Sequence, residues 1–175
     1  LAKNQNVDGG WGDCIGAQSN LAATLLVQAA FRLTGVPAQY DDLMLRSDQF
    51  VDAQGGGAAL RRLSREDKTL IAAVLTSCAL AGIVPWRQVP TLPFELACLP
   101  KRWRGQVQIP VERSSLPLLL AVGRAMFHHY PPHNPLTRLW RRSMCTKSLT
   151  ILEQLQETDD SFLASTATTA FVVLS

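Results

Sequence analysis

At 175 residues, 47% of them apolar, the chain is long enough to bury a sizeable core and too hydrophobic for disorder. Four widely spaced cysteines without a C-x-x-C pair argue against a zinc site and against a disulfide framework, and are expected to be reduced core thiols. The net charge of +3 is unevenly spread: residues 101–147 hold nine Lys or Arg against Glu112, a net +8, while the remainder is net −5.

The first landmark is Gln5-Asn6-Val7-Asp8-Gly9-Gly10-Trp11-Gly12. It supplies an amide for a helix end, glycines that tolerate positive φ, and an indole to cover the turn. Ser19 is positioned to cap a helix whose apolar positions Leu21, Leu25, Ala29 and Leu33 follow the helical period until Gly35 and Pro37. Asp41 or Asp42 opens a second helix through Leu43, Phe50 and Val51, closed by Gly55-Gly56-Gly57. This triplet reads as a turn and not as a phosphate cradle, because no strand precedes it and no G-K-[ST] follows.

Ser64 and Asp67 resemble a capping box before Leu70 to Ala81, an apolar run expected to form an inner helix ending at Gly82 and Pro85. A proline-punctuated connector follows from Trp86, with room for a short helix near Phe94-Glu95-Leu96. Ser114 or Ser115 with Pro117 starts a further apolar helix through Leu118, Leu119, Val122 and Met126.

His128, His129 and His133 surround Tyr130-Pro131-Pro132 and read as loop histidines, since no acidic ligand is adjacent. Asn134 and Pro135 are N-cap and N1 residues for a long helix to Gln156, with Leu136, Trp140, Met144, Ile151, Leu152 and Leu155 on one stripe. Arg138, Arg141 and Arg142 beside Trp140 suit an anionic membrane surface. Exchanging these three arginines for Glu in a liposome assay is the corresponding test. No apolar run reaches the roughly 18 to 20 residues that span a bilayer, so no transmembrane helix is expected.

Gln156 is followed at matching offsets by Asp160 and Phe162, as Gln5 is by Gly9 and Trp11, and a Thr- and Ala-rich helical run comes after Phe162. Such an internal repeat of turn plus helix marks stacked helical arrays. Six or seven helices are expected and no strand, which gives an all-α class built from helix pairs. Residues 1–175 are expected to form a single helical domain. The chain begins at Leu1 and ends at Ser175 inside an apolar run, so it reads as a piece of something longer.

In this order the residues resemble the squalene-hopene cyclase and oxidosqualene cyclase family of terpenoid cyclases. Gln5 to Trp11 is similar to the family's recurrent Gln-Trp motif, and Phe50-Val51-Asp52-Ala53-Gln54-Gly55-Gly56 to its segment before a Gly pair. Pro85 to Leu96 is similar to its Pro-Trp, Val-Pro, Pro-Pro-Glu connector, and Leu99-Pro100-Lys101-Arg102-Trp103 continues in the same order. The resemblance implies an α/α barrel, or toroid, of helical hairpins, seen here as an incomplete amino-terminal part.

It also implies an acid-initiated, cationic cyclisation of a linear isoprenoid such as squalene, with the partner an isoprenoid lipid. Protonating an alkene needs a strong carboxylic acid, and the cations that follow need a water-free site with aromatic faces. In the family that acid is the middle Asp of an Asp-x-Asp-Asp motif placed later in the chain, so no catalytic, cofactor-binding or metal-binding residue is assigned here, and no cofactor. Glu157-Thr158-Asp159-Asp160 has a similar carboxylate spacing, but counted from Gln156 it falls in the turn of the second Gln-Trp copy, where acids near a helix start are ordinary.

No aromatic residue lies between Phe50 and Trp86, a departure from the family's cyclases, and the segment ahead of the second copy, which carries their membrane-binding surface, is short. The alternative is a non-catalytic cyclase-like toroid that binds an isoprenoid or a protein. A prenyltransferase β-like subunit lacks support without a zinc constellation, and nucleic acid without an aromatic-interleaved basic pattern. The expected location is cytoplasmic, or peripheral on the inner face of the membrane through the basic region 101–147.

Overall fold

The computed structural model describes residues 1–35, 41–63, 68–98, 116–156, 162 and 165–175. The Ser64 and Asp67 box, Pro37, the Leu99 to Trp103 segment, the Ser114 and Ser115 caps and Glu157 to Asp160 lie outside these residues. Among the described residues there are eight α-helices and no strand, so the all-α class holds. The chain divides into two compact units, Leu1–Val89 and Pro90–Ser175, each with its own core.

The first unit holds α1 (Leu21–Leu33), α2 (Asp41–Ala53), α3 (Gly56–Leu63) and α4 (Lys68–Leu80). Helix α1 is central, packing on α2, α3 and α4. Its apolar period buries Leu21, Leu25 and Ala29, while Leu33 is exposed and Phe31 takes the inward place beside Trp11, Val27 and Met44. The N-cap is Asn20, not Ser19: the Asn20 side chain accepts from the Ala23 N–H at 2.8 Å. Ser19 is engaged by the preceding turn, donating to Asp8 Oδ1 at 2.7 Å and accepting from Asn6 Nδ2 at 2.9 Å.

The glycine triplet does more than end α2. Gly55 and Gly56 have φ of 88° and 65°, and the chain re-enters a helix at Gly56, so the triplet is the corner between α2 and α3. Apolar nearly all round, α4 buries Ile71 to Leu75, Cys78 and Ala79, as its composition requires.

The second unit holds the short α5 (Phe94–Ala97), α6 (Leu116–His129), α7 (Pro135–Leu155) and α8 (Thr166–Leu174). Leu118, Leu119, Val122 and Met126 of α6 are buried as their spacing predicts. Gly123 is there because α5 presses on it: a Cβ at that position would lie 2.7 Å from Phe94 Cβ. Asn134 caps α7 by accepting from the Leu136 N–H at 2.9 Å, with Pro135 at N1 as expected.

The α7 stripe is only partly a core stripe. Leu152 is buried, but Leu136 and Trp140 are 76% and 44% exposed. His128 and His129 end α6 and so lie on a helix, while His133 stands in the loop beyond. Cys78 and Cys98 are buried free thiols, whereas Cys14 is exposed and corrects the expectation of four core thiols.

Candidate functional site

The repeated motif builds the same joint twice. In the first copy the Trp11 N–H donates to Thr24 Oγ1 at 3.0 Å, and that hydroxyl donates to the Asn20 carbonyl at 2.8 Å. The Asn20 N–H returns to the Trp11 carbonyl at 2.9 Å, and the Asn20 side chain caps the third N–H of α1. In the second copy the Phe162 N–H donates to Thr169 Oγ1 at 2.9 Å, and that hydroxyl donates to the Ser165 carbonyl at 2.9 Å. The Ser165 N–H returns to the Phe162 carbonyl at 3.2 Å, and Ser165 Oγ caps the Thr168 N–H at 3.3 Å.

Both ring-bearing residues are buried, Trp11 to 3% and Phe162 to 7% exposure. The copies differ in the loop between ring and cap, nine residues from Trp11 to Asn20 and three from Phe162 to Ser165. Gln5 serves the first joint from outside: its Nε2 donates to the Gly9 and Leu43 carbonyls, both at 2.9 Å, tying the turn to the start of α2 instead of filling a helix end. Gly9 is required at its place, with φ 86° and a Cβ that would fall 2.5 Å from the Arg46 carbonyl oxygen. The signal missed in the sequence is a threonine four residues after each cap, Asn20 to Thr24 and Ser165 to Thr169.

The basic stretch divides by role. Arg124 Nη1 donates to the Cys145 carbonyl at 2.7 Å, pinning α6 to α7. Arg141 Nε and Nη2 donate to Glu95 Oε1 at 3.1 and 2.9 Å, and the guanidinium lies 5.8 Å over the Phe94 ring. Phe94 in turn packs on Phe127 at 6.2 Å between centroids. One face of Phe94 is thus taken by a protein cation, so this aromatic pair is a structural element. Glu95 Oε2 is buried without a hydrogen-bond partner. Arg138, Arg142 and Lys147 are exposed, and Lys101, Arg102, Arg104 and Arg113 lie outside the described residues.

In the first unit a cavity of about 420 Å³ opens among α1, the end of α2, the glycine corner and Pro85, with Gln28, Arg32, Asp48, Asp52 and Gln88 on its walls. The buried Gln28 amide donates to Ser47 Oγ at 2.7 Å and Asp48 Oδ1 at 2.8 Å. Charged walls of both signs do not suit a hydrocarbon or a water-free cation. No group of three His, Cys, Asp or Glu able to hold a metal occurs among the described residues. Burial raises the Cys78 thiol from its ordinary 9.0 to about 12, so this cysteine is inert and not a nucleophile.

Nearly the whole sequence, residues 1–172, matches the family described as the squalene-hopene cyclase N-terminal domain. The chain belongs to the squalene-hopene cyclase family. Among its relatives, the enfumafungin synthase of Hormonema carpetanum is 34% identical over 57% of this chain, and a terpene cyclase–glycosyl transferase fusion protein of Humicola fuscoatra is 33% identical over 58%. A squalene hopane cyclase of Aspergillus fumigatus is 28% identical over 57%. The matched stretch spans only 7% of the first two proteins and 12% of the third. No solved structure matches significantly. Family membership makes the helical pairs and their two Gln-Trp joints part of an α/α toroid of the terpene cyclase type, a family of isomerase-type enzymes.

Proposed function

We propose that this chain is the amino-terminal helical portion of a triterpene cyclase of the squalene-hopene type, which protonates a linear C30 isoprenoid and guides the resulting cation through ring closures. The observation that carries this reading is the family match over residues 1–172. In this reading residues 1–175 serve as scaffold. The two joints hold helical hairpins rigid around a cavity completed by the rest of the protein, and the proton donor is an Asp-x-Asp-Asp motif beyond this stretch. The polar cavity of the first unit and the Arg-covered Phe94 are consistent with a scaffold role, since neither offers the dry aromatic surface that a carbocation needs.

The deciding experiment is incubation of the full-length protein with squalene, followed by mass-spectrometric analysis of the extracted lipids. A cyclised hydrocarbon or alcohol is expected. If none forms where a working cyclase yields product, the protein is instead a cyclase-like toroid that binds an isoprenoid or a protein without turning it over. The lack of any aromatic residue between Phe50 and Trp86 favours that second reading.

A further inference from the structure

The cavity of the first unit is lined by charges that the fold does not pair. Arg32, Asp48 and Asp52 all stand on its walls, yet the sole ion pair among the described residues is that of Arg141 with Glu95, in the other unit. Gln28, only 1% exposed, lines the cavity as well, and its Nε2 donates both of its protons, to Ser47 Oγ and to Asp48 Oδ1. Gln28 Oε1 accepts no hydrogen bond among the described residues, so a deeply set carbonyl oxygen is left for a donor in the cavity.

The order of contacts sets where the charges stand. Gln28 meets Ser47 and Asp48, while Phe31, further along α1, shares a core cluster with Met44, which comes earlier on α2. The two helices therefore run antiparallel, and a turn forward on one is a turn backward on the other. Arg32 lies a turn beyond Gln28 and Asp52 a turn beyond Asp48, so their backbone positions fall on opposite sides of the Gln28–Asp48 bond, about 12 Å apart along the hairpin. The cavity thus has a positive end at Arg32, acceptors at Gln28 Oε1, Asp48 and Asp52, and one more negative than positive charge. One wall is Gly55-Gly56-Gly57-Ala58, which carries no side chain larger than a methyl and leaves the space open.

We propose that this cavity binds a small zwitterion of the basic α-amino acid class, with its carboxylate on Arg32 and its side-chain guanidinium or ammonium among Gln28 Oε1, Asp48 and Asp52. Such a cation is all donor, which matches a carbonyl and two carboxylates without setting acceptor against acceptor. A metal ion or a phosphate would be attracted at one end and repelled at the other. A basic amino acid satisfies both ends, carries the compensating charge, and fits a volume of about 420 Å³.

The test is isothermal titration of the full-length protein with L-arginine and with agmatine, which keeps the guanidinium and lacks the carboxylate. L-Arginine is expected to bind saturably at one site. Asp52→Asn is expected to weaken it about fivefold, the loss of one solvent-screened ion pair. Arg32→Gln separates the two ends: L-arginine is expected to lose about fivefold and agmatine nothing. Arg32 and Asp52 are exposed, so both variants are expected to keep the urea midpoint of the parent protein. Ala58→Trp, also at an exposed position, is expected to abolish binding of both compounds by filling the space.

Absence of saturable L-arginine binding, or binding that Asp52→Asn and Ala58→Trp leave unchanged, overturns the proposal. So does an Arg32→Gln protein in which L-arginine and agmatine lose affinity equally, because no carboxylate then sits at Arg32. The readout is binding, so it is independent of whether the protein turns over squalene.

Discussion

Thr24 and Thr169 carry the repeat more than the aromatic residues that advertise it. Each hydroxyl accepts from a backbone N–H that would otherwise be orphaned beside a buried ring, and donates its own O–H to the carbonyl of the helix cap. Thr24→Val keeps the shape and removes the acceptor. With Thr24 fully buried, this is expected to cost about 1–3 kcal/mol in urea denaturation, whereas Thr169→Val, at a half-buried site, is expected to cost less. Equal and negligible losses would mean that the joints are held by packing alone. Cys78 gives a second check. Its thiol is protonated in the fold up to about pH 12 but only to about 9.0 when unfolded, so its contribution is complete below pH 9 and declines above it. Stability is expected to fall by about 1.4 kcal/mol per pH unit between those values from this group, and Cys78→Ala is expected to remove that share of the slope. At neutral pH a maleimide should modify exposed Cys14 and leave Cys78 untouched.

At the level of elements, Glu95 and Arg141 join the short α5 to α7 through a pair whose side chains are 8% and 13% exposed. Replacing Arg141 with Met strands a buried carboxylate that already has one unpartnered oxygen, and is expected to cost about 3–5 kcal/mol in a denaturation series. Changing Glu95 to Leu in the same protein is expected to restore most of the loss; additive losses would show that the pair does not act as a unit. This contact explains what the sequence could and could not reveal. The apolar period of α1 and the all-round apolarity of α4 are local patterns, and both helices lie where those patterns put them. Ser19 and Asn20 are equally good caps by type, and the choice is made by Asp8 and Asn6, eleven and thirteen residues before Ser19, which occupy the serine. The stripe from Leu136 to Leu155 was legible as a helix, yet its first turns face outward because Arg141 is drawn to a carboxylate forty-six residues away. Periodicity finds a helix; the partner that sets its rotation is not in the window.

For the whole molecule, the proposed cyclase role implies a division of labour along the chain. The matched stretch is 7–12% of the length of these relatives, and within it the described cavity is polar while the buried Phe94 ring is covered on one face by Arg141. An alkene needs an acid far stronger than an ordinary solvated carboxyl group, placed where water is excluded. If the full-length protein cyclises squalene as proposed, residues 1–175 expressed alone are expected to yield no cyclised lipid under the same conditions. The measurement is the same extraction and mass spectrometry applied to both. Product from the short chain would place a competent acid inside it, and the only Asp-rich spacing resembling the family motif is Glu157-Thr158-Asp159-Asp160. Asp159→Asn would then abolish that product. If instead Asp159→Asn leaves that product unchanged, this acidic run is not its proton source.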